Sequence, residues 1–458
     1  MNNIIQKDAT DIIKQNYIEY SQYVISTRSY PNIRDGCKSV HRRCIYASYK
    51  GLPRHLVKST NAIGEIVKYH PHPSSIYDTL VGMASKYNCP FPIFDTKGNF
   101  GDKVNPPAAE RYTELMLSDL AIKIFCIFSD YSDMVLGETD VQEPESLPVL
   151  LPLCFLQGCY GIPVGMSVVN IPPLNPIDLL KYYIDVLKHK DINYTSNVFI
   201  KPNLGNINIL NTKNDWQNLL NTGEGIIKYS TVYSVINSGK TIKITGLPKN
   251  KSISDLFKIF SSEVEKEQID IRDESTKDIN ISIDILPYQR INYKYICDKI
   301  DKELTQSVKY KFIFSDGGYA VYASFKDVVK VNLEYLLKCV KKKIQENLCN
   351  INNRLFVLNV IELIKKDGIK KLTSLSNEDA EKYLVTKYKT TLEIAKVVLS
   401  KPISYLTKEH EKEIENLNQE KECLLNTDEY DYLLALYEDV LSVVKKLYKN
   451  ISVNFERK

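Results

Sequence analysis

Residues 39–78 read SVHRRCIYASYKGLPRHLVKSTNAIGEIVKYHPHPSSIYD, and the fold class turns on how they are parsed. Ser39 to Tyr49 has the spacing of a short helix with Lys38, His41, Arg42 and Arg43 at or near its start, where a helix N-terminus and added cations make a seat for phosphate. A second helical stretch, Asn61 to Lys68, ends at Tyr69-His70-Pro71-His72-Pro73, whose prolines stiffen the loop and fix where both imidazoles point. Ser74 and Ser75 then cap a third helix containing Tyr77 and Asp78. Two short helices joined by a turn, with strand-like pieces around Phe91 to Phe94, predict a helix-turn-helix of winged type. Histidines at i and i+2 also suit a metal, but no Cys, Asp or Glu stands at ligand spacing, so phosphate binding or proton shuttling is preferred.

Upstream, residues 9–27 carry apolar side chains at helical spacing with Thr10 as a cap, an amphipathic helix for the core or for a partner. Pro31 and Asp35-Gly36 force turns after it. Between Arg28 and His72 nine basic residues face two acidic ones, a segment charge of +7 on a chain whose total is +4. Such a concentration marks a polyanion-binding surface, nucleic acid first, with a merely solvated charged face as the alternative.

Downstream lies Ala108-Ala109-Glu110-Arg111-Tyr112-Thr113-Glu114. Gly98-Asn99-Phe100-Gly101 and Asn105-Pro106-Pro107 precede it and an apolar run from Leu115 to Phe125 follows, so Arg111-Tyr112 is expected where a loop enters a helix. A phenol with an ordinary pKa of about 10 needs nearby cations or a metal to act as a nucleophile. Arg111 is one such cation, and a guanidinium also binds phosphate oxygens bidentately and stabilises charge at a five-coordinate phosphorus.

The totals restrict the class. A chain of 458 residues, 43% hydrophobic and 25% charged, is an ordinary globular protein of around three domains. No apolar run reaches the roughly 18 residues of a membrane span, and the N-terminal residues lack signal-peptide order, which predicts a cytoplasmic protein, in a host's cytoplasm if it is viral. Ten cysteines without a Cys-x-x-Cys pair argue against a zinc ribbon or a disulfide framework and for reduced, mostly buried thiols. Residues 151–325 alternate strand-like and helical pieces, an α+β pattern. From Val331 to Ile364 apolar residues keep steps of three and four, and a second run from Lys408 to Tyr448 can return beside it, with Lys370 to Leu399 as a small helical knob. That is either a coiled-coil hairpin with a distal dimer contact or a bundle packed within one protomer.

Taken together, Arg28-Ser29-Tyr30-Pro31-Asn32-Ile33-Arg34-Asp35-Gly36-Cys37-Lys38-Ser39-Val40-His41-Arg42-Arg43, Lys68-Tyr69-His70-Pro71-His72, Gly98-Asn99-Phe100-Gly101 and Ala109-Glu110-Arg111-Tyr112-Thr113-Glu114 resemble the breakage-reunion region of the type IIA DNA topoisomerases, the gyrase A and topoisomerase IV A family. Gly161-Ile162-Pro163-Val164-Gly165-Met166, Asn170-Ile171-Pro172-Pro173 and Ile271-Arg272-Asp273-Glu274-Ser275-Thr276-Lys277-Asp278 extend it. Ending where the family's coiled coil ends, the chain is closest in architecture to the medium-subunit type of T-even-like bacteriophages.

The resemblance implies an α+β multidomain protein: an N-terminal arm helix (1–28), a winged-helix domain with the catalytic tyrosine (29–150), an α/β tower (151–325), and a long antiparallel coiled coil with a small helical dimer-gate knob (326–458). It implies that Tyr112 joins a DNA 5′ phosphate, that Arg111 stabilises the transition state, and that Arg28, His70 and His72 line the scissile phosphate. Lys38, His41, Arg42 and Arg43 would grip DNA, as would Lys68 and Ser75, and Ile171 would be an apolar wedge entering a base step, its bland alternative being a core isoleucine. Two departures stand out: the loop after His72 is one residue short and has Pro73 where the family has Gly, and Lys103-Val104-Asn105-Pro106-Pro107 replaces an acidic, Gly-rich link. The activity implied is ATP-dependent relaxation or decatenation by a homodimer acting on double-stranded DNA. With no Walker-type loop in the chain, ATP and Mg²⁺ fall to an ATPase and metal-binding partner subunit. A non-catalytic architectural DNA-binding dimer and a gyrase component with a separate wrapping module are the alternatives.

Overall fold

The computed structural model describes residues 8–24, 28–85, 89–101, 105–163, 166–248, 251–276, 279–287, 291–367, 375–402, 405, 410–448 and 454–455. It is a mixed α+β chain that divides into two compact units, one formed by Met1–Leu336 with Leu434–Lys458 and the other by Leu337–Leu433. Among the described residues no helix is long and apolar enough to cross a membrane.

The first unit opens with α1 (Ala9–Val24), whose Ile13, Tyr17, Ile18 and Tyr20 are exposed. Then follow α2 (Ser39–Gly51), β1 (Val57–Lys58), α3 (Ser59–Val67), α4 (Pro73–Ala84), β2 (Phe94–Lys97), β3 (Glu114–Leu117) and α5 (Asp119–Phe125). The strands form an antiparallel sheet in the order β1-β3-β2, and α2, α3 and α4 pack on one another and against it. Ile45, Ala62, Ile66, Ile76 and Leu80 on the helices, with Phe91, Ile93, Phe94 and Leu115, are fully buried and make this core. Two expectations are corrected here. Leu115 to Leu117 form a strand, because Ser118 interrupts the apolar run and its hydroxyl accepts the Ala121 N–H as the cap of α5. The third helix begins at Pro73 with His72 as its N-cap, and Ser75 instead donates its hydroxyl to the His72 carbonyl at 3.0 Å.

Beyond α5 come a hairpin of β4 (Met134–Leu136) and β5 (Gln142–Pro144), the short helix α6 (Leu153–Gln157), and a second hairpin of β6 (Cys159–Gly161) and β7 (Val169–Ile171). The second hairpin is the edge of a six-stranded sheet that continues through Gln306–Lys311, Glu224–Ser230, Asn208–Ile209 and Asn454–Phe455. A separate four-stranded sheet (Val232–Ile236, Thr241–Gly246, Ile281–Ile285 and Ile269–Asp273) is covered by helices Ile253–Ile259 and Tyr293–Glu303, with Ile242, Ile244, Leu256, Phe260, Ile283, Ile296 and Ile300 between them.

The 43-residue helix Phe325–Asp367 enters the second unit, where Val357, Val360, Ile361 and Ile364 pack with Leu384, Ala395 and Val398 of the short helices Asn377–Tyr388 and Leu392–Leu399. Arg354 donates to Glu413 at 2.6 Å and so ties the long helix to the helix Glu411–Asn426. The ten cysteines are not disulfide-bonded to one another, and Cys37, Cys44, Cys89, Cys126, Cys154 and Cys339 are buried.

Candidate functional site

Tyr112 closes a single 3-10 turn, Glu110–Tyr112, and is 64% exposed. It enters a strand rather than the helix expected from the sequence, and its neighbours on both sides are pinned. Thr113 is fully buried, its Oγ1 lying 2.7 Å from Ser59 Oγ at the start of α3 and 3.1 Å from the Tyr77 hydroxyl of α4. Tyr77 also donates to the Ala108 carbonyl at 2.5 Å, and Ser59 N–H to the Thr113 carbonyl at 3.0 Å. The Gly98-Asn99-Phe100-Gly101 loop supports the turn from below. Gly98 has φ +101°, and a Cβ there would stand 3.1 Å from the Tyr112 carbonyl, so the loop can lie this close only with glycine. The result is a reachable phenol on an immobilised backbone. Arg111 is exposed with its guanidinium carbon 4.8 Å from the centre of the Tyr112 ring, a cation stacked beside the phenol.

A second cluster forms where α4 begins. Arg28 Nη2 donates to His72 Nε2 at 3.1 Å, the His72 and His70 rings meet edge to face at 5.3 Å, and Arg43 Nη1 donates to His70 Nδ1 at 3.1 Å. Ser75 Oγ lies 3.4 Å from His70 Nε2, which places that serine in the cluster. Burial first, then the positive charges of Arg43 and Arg28, lowers the His70 pKa to about 4. His41, half-buried beside Lys38 and Arg42, is lowered to about 3 for the same reasons. Both imidazoles are therefore neutral in the folded chain at neutral pH, able to accept and pass a proton. Below their ordinary value of 6.5 the unfolded chain takes up protons that the fold refuses, so their stabilisation is full above pH 6.5 and is lost as pH falls toward 4 and 3. A His70→Gln chain should accordingly lose less melting temperature between pH 7 and pH 4 than the parent; superimposable curves would refute the neutral buried imidazole.

The basic helix is not what its sequence suggests. Arg42 and Arg43 are buried, Arg42 holding Asp35 through Nε at 2.6 Å and Arg43 holding Glu143 at 2.7 Å and Glu138 at 3.2 Å. Burial works against the Arg42 cation, but Asp35 outweighs it and keeps the pKa above the ordinary arginine value. Their role as free phosphate grips is thus corrected: these charges are neutralised inside the fold. Lys38 donates to the Tyr160 carbonyl at 2.6 Å, and Lys68 is exposed at the C-cap of α3, 2.6 Å from Glu65.

Ile171 is also corrected. It is 2% exposed and packs inward from β7, so it is a core residue in this structure. Among the described residues of the same hairpin the most exposed apolar side chain is Ile162, at 68%, between Gly161 and Pro163, with Tyr160 at 60%, Met166 at 41% and Val168 at 40%. Val164 and Gly165 lie outside the described residues, as do Lys103 and Val104. Among the described residues no three His, Cys, Asp or Glu side chains are grouped to hold a metal ion.

The family model for the A subunits of DNA gyrase and topoisomerase IV matches residues 28–447. The chain is similar to the DNA gyrase A subunit of Buchnera aphidicola, 28% identical over 99% of this chain and 59% of that protein. It is likewise similar to the DNA gyrase A subunit of Brachyspira hyodysenteriae, 26% identical over 97% and 56%, and to that of Mycoplasma pneumoniae, 30% identical over 78% and 46%. It spans about half the length of the curated relatives it matches.

Proposed function

The chain belongs to the DNA gyrase/topoisomerase IV A-subunit family, and on that premise we propose that it is the strand-cutting and strand-rejoining subunit of a type II DNA topoisomerase. The observation that carries this reading is the exposed Tyr112 on a turn held by Ser59, Tyr77 and Thr113, with a guanidinium at its face. The Tyr112 oxygen attacks a backbone phosphorus; a tyrosyl P–O bond forms as the bond to the deoxyribose 3′ oxygen breaks, and the phenolic proton ends on that oxygen. Rejoining reverses these steps. Because one phosphodiester replaces another of similar energy, neither step needs a hydrolysed cofactor.

Arg111 and Arg28 supply the cations for charge on the non-bridging oxygens, and neutral His70, with His72 beside it, takes up or returns the proton. The chain is read as a homodimer in which Tyr112 of one protomer acts beside the Arg28, His70 and His72 cluster of its partner. Each of the two strands is cut by one Tyr112. The three-helix, three-stranded core of residues 29–150 is read as the winged-helix domain, residues 151–325 as the tower, and the long helix with its returning partner as the coiled coil bearing a dimer knob. Type II topoisomerases use ATP and Mg²⁺, and both are read as bound by the ATPase partner subunit. Ile162 takes the wedge role that burial denies Ile171.

The test is to mix the chain with its ATPase subunit, Mg²⁺ and supercoiled plasmid and then denature the mixture. Linear DNA carrying protein on its 5′ ends is expected. Plasmid that is bound before denaturation yet intact and protein-free afterwards would point to a non-catalytic architectural dimer instead.

A further inference from the structure

Residues 28–30 touch two places that the proposed reaction uses. At one end Arg28 donates to His72. Two residues on, Tyr30 is 1% exposed and its hydroxyl donates to the Ser167 carbonyl at 2.6 Å, on the returning side of the β6–β7 hairpin. Between them the Ser29 carbonyl lies against Gly161 on the outgoing side, where an added Cβ would stand 2.1 Å from that oxygen. Three consecutive residues therefore grip both ends of the hairpin that exposes Ile162. Lys311 reinforces the grip, its Nζ donating to Ser167 Oγ at 3.0 Å while it lies 5.0 Å from the Tyr322 ring centre. Burial and then Tyr322 push the Tyr30 pKa up to about 12, so its hydroxyl keeps its proton and stays a donor at working pH.

We propose that Tyr30 is a positioning residue that ties the Ile162 hairpin to Arg28, so that a duplex bent against the hairpin sets the Arg28–His72 pair for cleavage. The inference rests on the reading of the chain as a DNA-cutting subunit. Close-packed interiors deform little, so a push on the hairpin is passed to segment 28–30 as a displacement rather than absorbed. Arg28, exposed at the N-terminal end of that segment and bonded to His72, is what moves.

The experiment uses the full chain with its ATPase subunit, Mg²⁺ and an end-labelled duplex. Tyr30→Phe keeps the buried ring and removes only the hydroxyl. Duplex affinity by fluorescence anisotropy should stay within about twofold, since phosphate contacts set it, while the protein-linked fraction falls about tenfold, the scale of one buried hydrogen bond. In an Ile162→Ala background the same change should add less than about twofold, because both act through one hairpin. Gly161→Ala, whose methyl collides with the Ser29 carbonyl, should reproduce the selective loss, and thermal melting of each variant separates it from unfolding. A Tyr30→Phe chain that cleaves like the parent, or that loses as much with Ile162 absent, overturns the coupling. A parent chain that forms no protein-linked DNA overturns the functional reading itself.

Discussion

Tyr112→Phe should bind DNA like the parent and form no protein-linked DNA. The ring keeps its place, because the turn is held through Thr113, Ser59, Tyr77 and the Ala108 carbonyl rather than through the Tyr112 hydroxyl. Arg111 can still stack on the remaining ring. Only the attacking oxygen is gone. Loss of a covalent nucleophile costs on the order of 10⁴-fold or more, and nothing else on this turn can substitute: Thr113 is fully buried with its hydroxyl engaged. Anisotropy with a labelled duplex should give an affinity within about twofold of the parent, and melting should be unchanged, as expected for an exposed hydroxyl. Protein-linked DNA persisting in this variant would transfer the chemistry to another residue.

The second large effect is on stability. Asp35→Ala should destabilise the first unit by about 3–5 kcal/mol, the usual result of stranding one member of a buried ion pair. Asp35 is 0% exposed and serves three partners: Arg42 through Nε at 2.6 Å, the Leu147 N–H at 2.9 Å and the Cys37 N–H at 2.8 Å. It thus ties the turn before α2 to the chain beyond β5. Chemical denaturation followed by a probe in the first unit should show the loss, and Asp35→Ala with Arg42→Met should recover part of it, because the uncompensated cation is then removed. An unchanged midpoint would contradict the buried pair. If Arg42 were instead a phosphate contact, Arg42→Met alone would flatten the salt dependence of DNA binding; the buried pair predicts an unaltered slope.

Arg42 illustrates where reading residues in order stops. Sequence shows its sign and its place on a helix, but its partner Asp35 is visible only once the turn folds back, and the carboxylates of Glu138 and Glu143 that claim Arg43 lie 95 and 100 residues along the chain. Nothing local separates a cation facing solvent from one facing a distant hairpin. Residues 70, 72 and 75 were legible together because stiff prolines and short spacings restrict them, whereas Arg28, 44 residues from His72, was placed beside them only by the family resemblance; the four do converge. The strand Glu114–Leu117 was not, because four residues of mixed burial cannot be told from the first turn of the helix that follows. Ile171 and Ile162 were misordered for a related reason. Both sit beside proline, and the burial of Ile171 follows from its pairing opposite Cys159 in the folded hairpin, which the order of residues does not show.

The most direct measurement is the identity of the residue that holds the DNA. Protein-linked DNA trapped by denaturation, digested with nuclease and protease and read by mass spectrometry, should yield the peptide containing Arg111-Tyr112-Thr113 with a nucleotide joined through its 5′ phosphate to the Tyr112 oxygen. A nucleotide on any other side chain, or one joined through a 3′ phosphate, would contradict Tyr112 as the group that trades places with the sugar oxygen.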